Sequence, residues 1–381
     1  MKESKILPRK SLPDKVLVAY ATECNDLVIK AVRDSVNVVI WSFMEIQKDI
    51  EDNVIVTGNS LDFECIRKMI KSLDNEGYQE VVHLVSFGGW NGPHLEPKLS
   101  VVEWYETWKD SVGDIFHGID WDLEGHDNLD SPTNVFSINC LEKMGCISEM
   151  AKKDGYIIGV APPQSYLDVQ SSQFSRYVNL TEPERPWHGD FNYFGCNVYA
   201  YLIAKYGSYI DFISIQFYES YSRAAMCLYH DRLPEDEYLK SYVEDLLKND
   251  ESFFVDFDSD PALHFSSRKV ALPLSKLVFG FANGWASNME EHKVAFFDPI
   301  NIQHAYHNLQ ATGRDPRGFM FWVIGEGTSK QRKYRCIMRH YRVATNHCLM
   351  MRNSEGTNGI NYARDLAKII GKRSRTQDGD L

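Results

Sequence analysis

The sequence predicts an α/β protein, a (β/α)8 TIM barrel with loop insertions. Short apolar runs alternate with longer amphipathic stretches along the chain, which is typical of parallel sheets whose strands are joined by helices. Eight such runs can be counted, and eight strands close a barrel of this kind. The length of 381 residues suits a barrel with insertions. A doubly wound open sheet is the alternative.

The predicted strands are apolar runs separated by helical patterns. They cover residues 16–20, 36–41, 81–86, 115–123, 156–160, 212–216, 277–281 and 318–322. Several are almost continuously apolar, as expected of strands that are buried on both faces. Between them, the segment 235–247 carries Tyr238, Tyr242 and Leu246 at helical spacing. A last helix is predicted at 360–370.

We expect a single domain over residues 15–371, because no change of composition divides this stretch. An N-terminal extension (1–14) would precede it and a polar tail (372–381) would follow it. Insertions into the barrel are expected near 164–208, 221–276 and 327–356. Loops at the carboxyl ends of barrel strands build active sites, so these insertions are candidate walls of a cleft.

Charge and hydropathy exclude some partners. The formal net charge is −12, which argues against a nucleic-acid partner and is compatible with a neutral ligand such as a sugar polymer. Every apolar run is much shorter than the about 20 residues that are needed to cross a bilayer, so no membrane partner is expected. The N-terminal residues are charged and lack the apolar segment of a signal peptide. The compartment is therefore left open, and we expect a monomer.

The eight cysteines are scattered without the spacing of metal ligands. We expect buried free thiols, with a few disulfides as the alternative. Neither a metal ion nor a cofactor is expected.

The segment from His117 to Gly125 is the most informative part of the sequence. Because side chains alternate along a strand, Asp120, Asp122 and Glu124 project to one face. This face would be the barrel interior, where burying like charges is costly unless protons are shared. One of the three acids should therefore hold a proton near neutral pH, which is what a general acid requires.

Two other interpretations of this segment are open. The strand could lie at the edge of a sheet with its acids in water, or His117 could join the acids in binding a metal ion. His117 is odd-numbered where the acids are even-numbered, so its side chain should point away from them.

The segment resembles the signature Asp-x-x-Asp-x-Asp-x-Glu of glycoside hydrolase family 18, carried on the fourth barrel strand, with His117 in place of the first Asp. Further motifs of the family follow in its order, with closest likeness to the plant and fungal-type class III chitinases. They are Ser86-Phe87-Gly88-Gly89, Ala161-Pro162-Pro163-Gln164, Gln216-Phe217-Tyr218 and Trp322.

The resemblance implies hydrolysis of β-1,4-N-acetylglucosamine linkages, in chitin or chitooligosaccharides, by a retaining mechanism in which the substrate's acetamido group assists. Glu124 would be the acid and base, and Asp122 would orient the acetamido group. Asp120 would belong to the same acid network. Tyr218 would donate a hydrogen bond to the acetamido oxygen. With His117 in place of an Asp, we expect activity with an altered pH profile.

The resemblance also implies a substrate-binding set. Trp322 would form the floor beneath the reacting sugar and Gln216 would join the acid network. Gly88 and Gly89 would leave room for the ligand, and Tyr20 and Trp90 are candidate subsite aromatics, which completes the set. Two alternatives keep the same fold: a lectin that binds chitin without cutting it, and an endo-β-N-acetylglucosaminidase that acts on N-glycans.

Overall fold

Eight parallel strands pair in chain order and close into a barrel, which confirms the predicted fold class. The computed structural model describes residues 10–58, 60–90, 92–124, 133–179, 196–219, 222–286, 295–325 and 359–371. The strands, numbered β1 to β8, are Val16–Ala21, Val38–Trp41, Val82–Gly89, Gly118–Leu123, Ile157–Val160, Phe212–Gln216, Leu277–Ala282 and Gly318–Trp322. Each of the eight overlaps a predicted run.

The barrel closes where β1 pairs with β8, with Val16 opposite Gly318. Side chains alternate between two apolar layers. On β1, Val18 lies in the interior of the barrel, whereas Leu17 lies in the layer between the strands and the helices. Nearly every strand residue is buried, which explains why the runs are continuously apolar rather than alternating.

Helices pack around the barrel. They are α1 to α8, at Asp26–Arg33, Phe63–Asn75, Val101–Val112, Ile138–Lys153, Val198–Tyr206, Glu235–Leu247, Pro299–Gln310 and Gly359–Ile369. Helix α6 has the predicted bounds, and α8 begins one residue earlier than predicted. Several start with a side-chain cap, such as the Ser100–Glu103 capping box of α3. None of the helices in the described ranges is long and apolar enough to cross a membrane.

The three predicted insertions differ in content. Residues 164–208 include the strand Tyr177–Asn179, which pairs with Thr133–Val135, as well as helix α5. Residues 221–276 include α6 and a hairpin of Ser252–Val255 with Arg268–Ala271. A further hairpin, Glu45–Lys48 with Val54–Thr57, follows β2. The insertion predicted near 327–356 lies outside the described residues.

A disulfide joins Cys24, in the loop after β1, to Cys65 in the first turn of α2. Four other cysteines among the described residues are free: Cys140, Cys146, Cys196 and Cys227. The expectation of free thiols therefore holds for these four, and the alternative of a disulfide holds for Cys24 and Cys65. The bond ties the loop after β1 to the first turn of α2 at the carboxyl end of the barrel.

Replacing both Cys24 and Cys65 by serine should lower the free energy of unfolding by about 4 kcal/mol, because the bond closes a loop of 41 residues in the unfolded chain. Urea denaturation under non-reducing conditions measures the change, with Cys227→Ser, which removes a free thiol, as control. An unchanged denaturation midpoint in the double variant would show that the bond does not contribute.

Candidate active site at the carboxyl end of the barrel

The three acids of β4 lie on one face, as the alternation predicted. Asp120, Asp122 and Glu124 are all buried, with 0%, 3% and 5% of their surface exposed. Trp121 lies on the opposite face, in the layer between barrel and helices. Strand β4 pairs with β3 on one side and β5 on the other. It is therefore not an edge strand, and its acids do not face water.

The carboxyls of Asp122 and Glu124 form a buried pair that is bridged by one amide group. The side-chain amide of Gln216, at the end of β6, donates to both. Its Nε2 lies 2.7 Å from Asp122 Oδ1, 3.1 Å from Glu124 Oε1 and 2.6 Å from the backbone oxygen of Ala161. One amide group thus fixes the two carboxyls relative to each other and to the end of β5, the strand that lies between β4 and β6.

This pair favours one shared proton near neutral pH. Burial raises the pKa of Glu124 to about 7. Burial, together with the charges of Glu124 and Asp120, raises the pKa of Asp122 well above its usual range. Two buried acids held by the same amide titrate as a unit, because the second charge is placed against the first. The pair can therefore present a proton at the pH where an ordinary glutamic acid has lost it.

Asp120 has its own two donors, which come from β1 and β3. The hydroxyl of Tyr20 lies 2.7 Å from Asp120 Oδ2, and Ser86 Oγ lies 2.8 Å from the same oxygen. Burial raises the pKa of Asp120 to about 6, and both hydrogen bonds oppose this rise. Tyr20 and Ser86 therefore stabilise a charge directly below the carboxyl pair.

His117 points away from the acids, as its position in the strand predicted. Its Nδ1 accepts a hydrogen bond of 2.9 Å from the backbone N–H of His83, and the two imidazole rings lie 6.0 Å apart. Burial lowers the pKa of His117 to about 3, so the ring is neutral. Among the described residues there is no group of three or more His, Cys, Asp or Glu placed to hold a metal ion.

Three aromatic rings meet beside the acids, at the ends of β1, β2 and β8. The ring centroids of Tyr20 and Trp322 lie 5.3 Å apart, and Phe43 stacks on Trp322 at 5.8 Å. The sequence predicted Tyr20 and Trp322 but missed Phe43. The signal that could have found it is its place two residues after a barrel strand, where active-site residues gather.

Asn283, directly after β7, holds the backbone of the tryptophan. Its N–H donates to the oxygen of Trp322 at 3.0 Å, and its side-chain amide donates to the oxygen of Val323 at 2.5 Å. The backbone N–H of Ile324, the residue after Val323, donates to the backbone oxygen of Tyr20. Asn283 was not predicted, because a lone Asn after a strand carries no specific signal.

Gly88 and Gly89 allow β3 to pack closely against Asp122 and Phe43. Both have positive φ, 112° and 82°, where other residues are strained. A Cβ on Gly88 would lie 2.3 Å from the backbone oxygen of Asp122, and one on Gly89 would lie 2.5 Å from the ring of Phe43. The atoms that an added Cβ would meet belong to Asp122 and Phe43, and the expectation that these glycines leave room for the ligand stays a prediction.

Tyr218 lies two residues after β6 and is buried in the interior cluster that also contains Tyr20. Burial and the neighbouring acids, Glu219 first among them, raise the pKa of its hydroxyl well above its usual range, so the group remains a donor. Burial and the charge of Glu124 also raise the pKa of Glu219. Trp90 directly follows β3 at a half-buried position, and its subsite role stays a prediction.

No protein-family model matches the sequence, and no curated protein sequence matches it either. Solved structures do match. The C-terminal domain of ChiA from Legionella pneumophila is 15% identical with a TM-score of 0.56, over 81% of this chain and 93% of that chain. A family 18 chitinase from Chromobacterium violaceum is 16% identical with a TM-score of 0.56, over 95% of this chain and 84% of that one.

The catalytic domain of a hyperthermophilic chitinase from Pyrococcus furiosus is 11% identical with a TM-score of 0.52, over 95% of this chain and 97% of that chain. At such identities the likeness is one of fold. The chain therefore shares the (β/α)8 fold of these chitinases.

Proposed function

We propose that this protein hydrolyses β-1,4-N-acetylglucosamine linkages in chitin or chitooligosaccharides, with Glu124 as the acid and base. The observation that carries the proposal is the buried Asp122–Glu124 pair at the open end of the barrel, whose two carboxyls accept hydrogen bonds from the same amide group of Gln216. A glycosidic oxygen must be protonated in order to leave, and the proton shared by this pair can supply that protonation. The fold, which is that of family 18 chitinases, supports the same substrate class.

The first step breaks the glycosidic C–O bond. Glu124 gives its proton to the leaving oxygen while the substrate's acetamido oxygen forms a bond to the anomeric carbon, which yields an oxazolinium ion. Asp122, left ionised beside it, stabilises the positive charge that develops on the acetamido group. The buried hydroxyl of Tyr218 donates to the acetamido oxygen and orients it.

The second step restores the enzyme. A water molecule attacks the anomeric carbon from the side that the leaving group has vacated, the bond between the acetamido oxygen and this carbon breaks, and Glu124 takes a proton from the water. The configuration is therefore retained. Trp322, with Tyr20 and Phe43 around it, forms the floor beneath the reacting sugar, where stacking contributes about 1 kcal/mol.

Glu124→Gln should lower kcat by about 100- to 10,000-fold, because an amide cannot donate the proton that the leaving oxygen needs. Release of fluorophore from 4-methylumbelliferyl chitobioside and chitotrioside measures this. Glu64→Gln, an exposed position on α2, is the matched control and should leave the rate unchanged.

Equal release by wild type and Glu124→Gln would contradict the proposed role of Glu124. Binding of chitooligosaccharides without any release by the wild type would instead indicate a lectin. Release from N-glycan cores but not from chitooligosaccharides would indicate the endo-β-N-acetylglucosaminidase.

The pH dependence follows from the direction of the pKa shift of Glu124. The acid must be protonated in the free enzyme, and burial raises its pKa to about 7. The value of kcat/KM should therefore persist to neutral pH and fall as the pH rises through about 7, because the proton is lost there. Initial rates on the chitobioside between pH 4 and 9 measure the profile. A basic limb near pH 4.5, that of an ordinary glutamic acid, would be incompatible with the shared proton.

A further inference from the structure

The end of β4 extends beyond its neighbour β5. The pairing of these strands ends with Trp121 opposite Val160, and the N–H of Ala161 donates to the oxygen of Trp121 at 2.8 Å. The two residues after Ala161 are Pro162 and Pro163, which have no N–H to donate. The carbonyl oxygens that follow on β4 therefore receive no backbone hydrogen bond from these prolines.

Two buried tyrosines donate to these carbonyls instead. The hydroxyl of Tyr199, on α5, lies 3.0 Å from the backbone oxygen of Leu123. The hydroxyl of Tyr166, in the short turn Gln164–Tyr166, lies 2.7 Å from the backbone oxygen of Glu124. A buried carbonyl without a partner would cost about 1–3 kcal/mol, so these hydroxyls stabilise the end of the strand.

The two tyrosines are themselves held rigidly. Both are at most 2% exposed, their rings face each other at 6.5 Å, and Phe136 packs edge-on against both, at 5.8 and 6.2 Å. Burial raises the pKa of both hydroxyls well above the usual range, so both remain donors at every pH of interest. The pair is a fixed support outside the barrel.

We propose that Tyr166 and Tyr199 are positioning residues for catalysis, which set the backbone of Leu123 and Glu124 so that the Glu124 carboxyl meets the leaving oxygen. The inference rests on the proposed function. Gln216 holds this carboxyl from the barrel interior, whereas the tyrosines hold the peptide that carries it. A displacement of about 1 Å at a reacting group can cost 100-fold in rate.

Through Tyr166 and Tyr199, the region 164–208 has a second role. The sequence predicted it as a wall of the cleft, but Tyr166 and Tyr199 reach β4 from the helix side. There Tyr199 shares the buried layer of Trp121. The same region would then act on the catalytic acid through the backbone, without touching the substrate.

The test compares Tyr166→Phe and Tyr199→Phe with Tyr201→Phe. Tyr201 lies on the same helix as Tyr199, but its hydroxyl donates to Glu142 rather than to β4, so it is a matched control for loss of a tyrosine hydroxyl. We expect each of the first two variants to lower kcat about 10-fold with KM within about twofold of the wild type. Tyr201→Phe should keep the wild-type kcat.

A second measurement does not depend on activity. Amide hydrogen exchange of a peptide spanning Gly118 to Glu124 should be faster in Tyr166→Phe and Tyr199→Phe than in the wild type and in Tyr201→Phe. Wild-type kcat and wild-type exchange in both variants would overturn the inference. Absence of hydrolysis by the wild type would refute the proposed function and with it the catalytic part of the inference, while the exchange comparison would still decide whether the tyrosines hold the end of β4.

Discussion

Three carboxyl groups lie inside a barrel that is otherwise largely apolar, and much of the surrounding structure serves to make this possible. Two adjacent unit charges at 4 Å repel by about 4 kcal/mol at an effective dielectric constant of 20. The protein lowers this cost in two ways. Asp120 receives hydrogen bonds from Tyr20 and Ser86, and the amide of Gln216 donates to both Asp122 and Glu124. A raised pKa for the pair follows from this arrangement.

The strands beside β4 are shaped around the acids. On β3, Gly88 lies against the backbone of Asp122; on β5, a Cβ at Gly159 would lie 2.7 Å from Asp120 Oδ1. Larger side chains at either position would displace a carboxyl or its strand. The three acids therefore pack as one unit with the two glycines beside them. The aromatic rings at the ends of β1, β2 and β8 lie next to this unit.

The sequence predicted those parts that depend on local pattern. Eight apolar runs became eight strands, and a period of two placed Asp120 and Glu124 inside the barrel and His117 outside it. Contacts between distant segments were not predictable. Nothing near Phe43 or Tyr199 in the chain indicates that these rings come together with Trp322 or with Leu123. The bond between Cys24 and Cys65 was equally hidden, because spacing along the chain does not encode proximity.

The shared proton of Asp122 and Glu124 can be observed by infrared titration of protonated carboxyl groups. The difference spectrum between the wild type and the double variant Asp122→Asn, Glu124→Gln removes the contributions of the other acids. If the two acids share a proton, this difference contains a protonated carboxyl signal at neutral pH that disappears as the pH is raised. A difference spectrum showing only ionised carboxylates at neutral pH would contradict it.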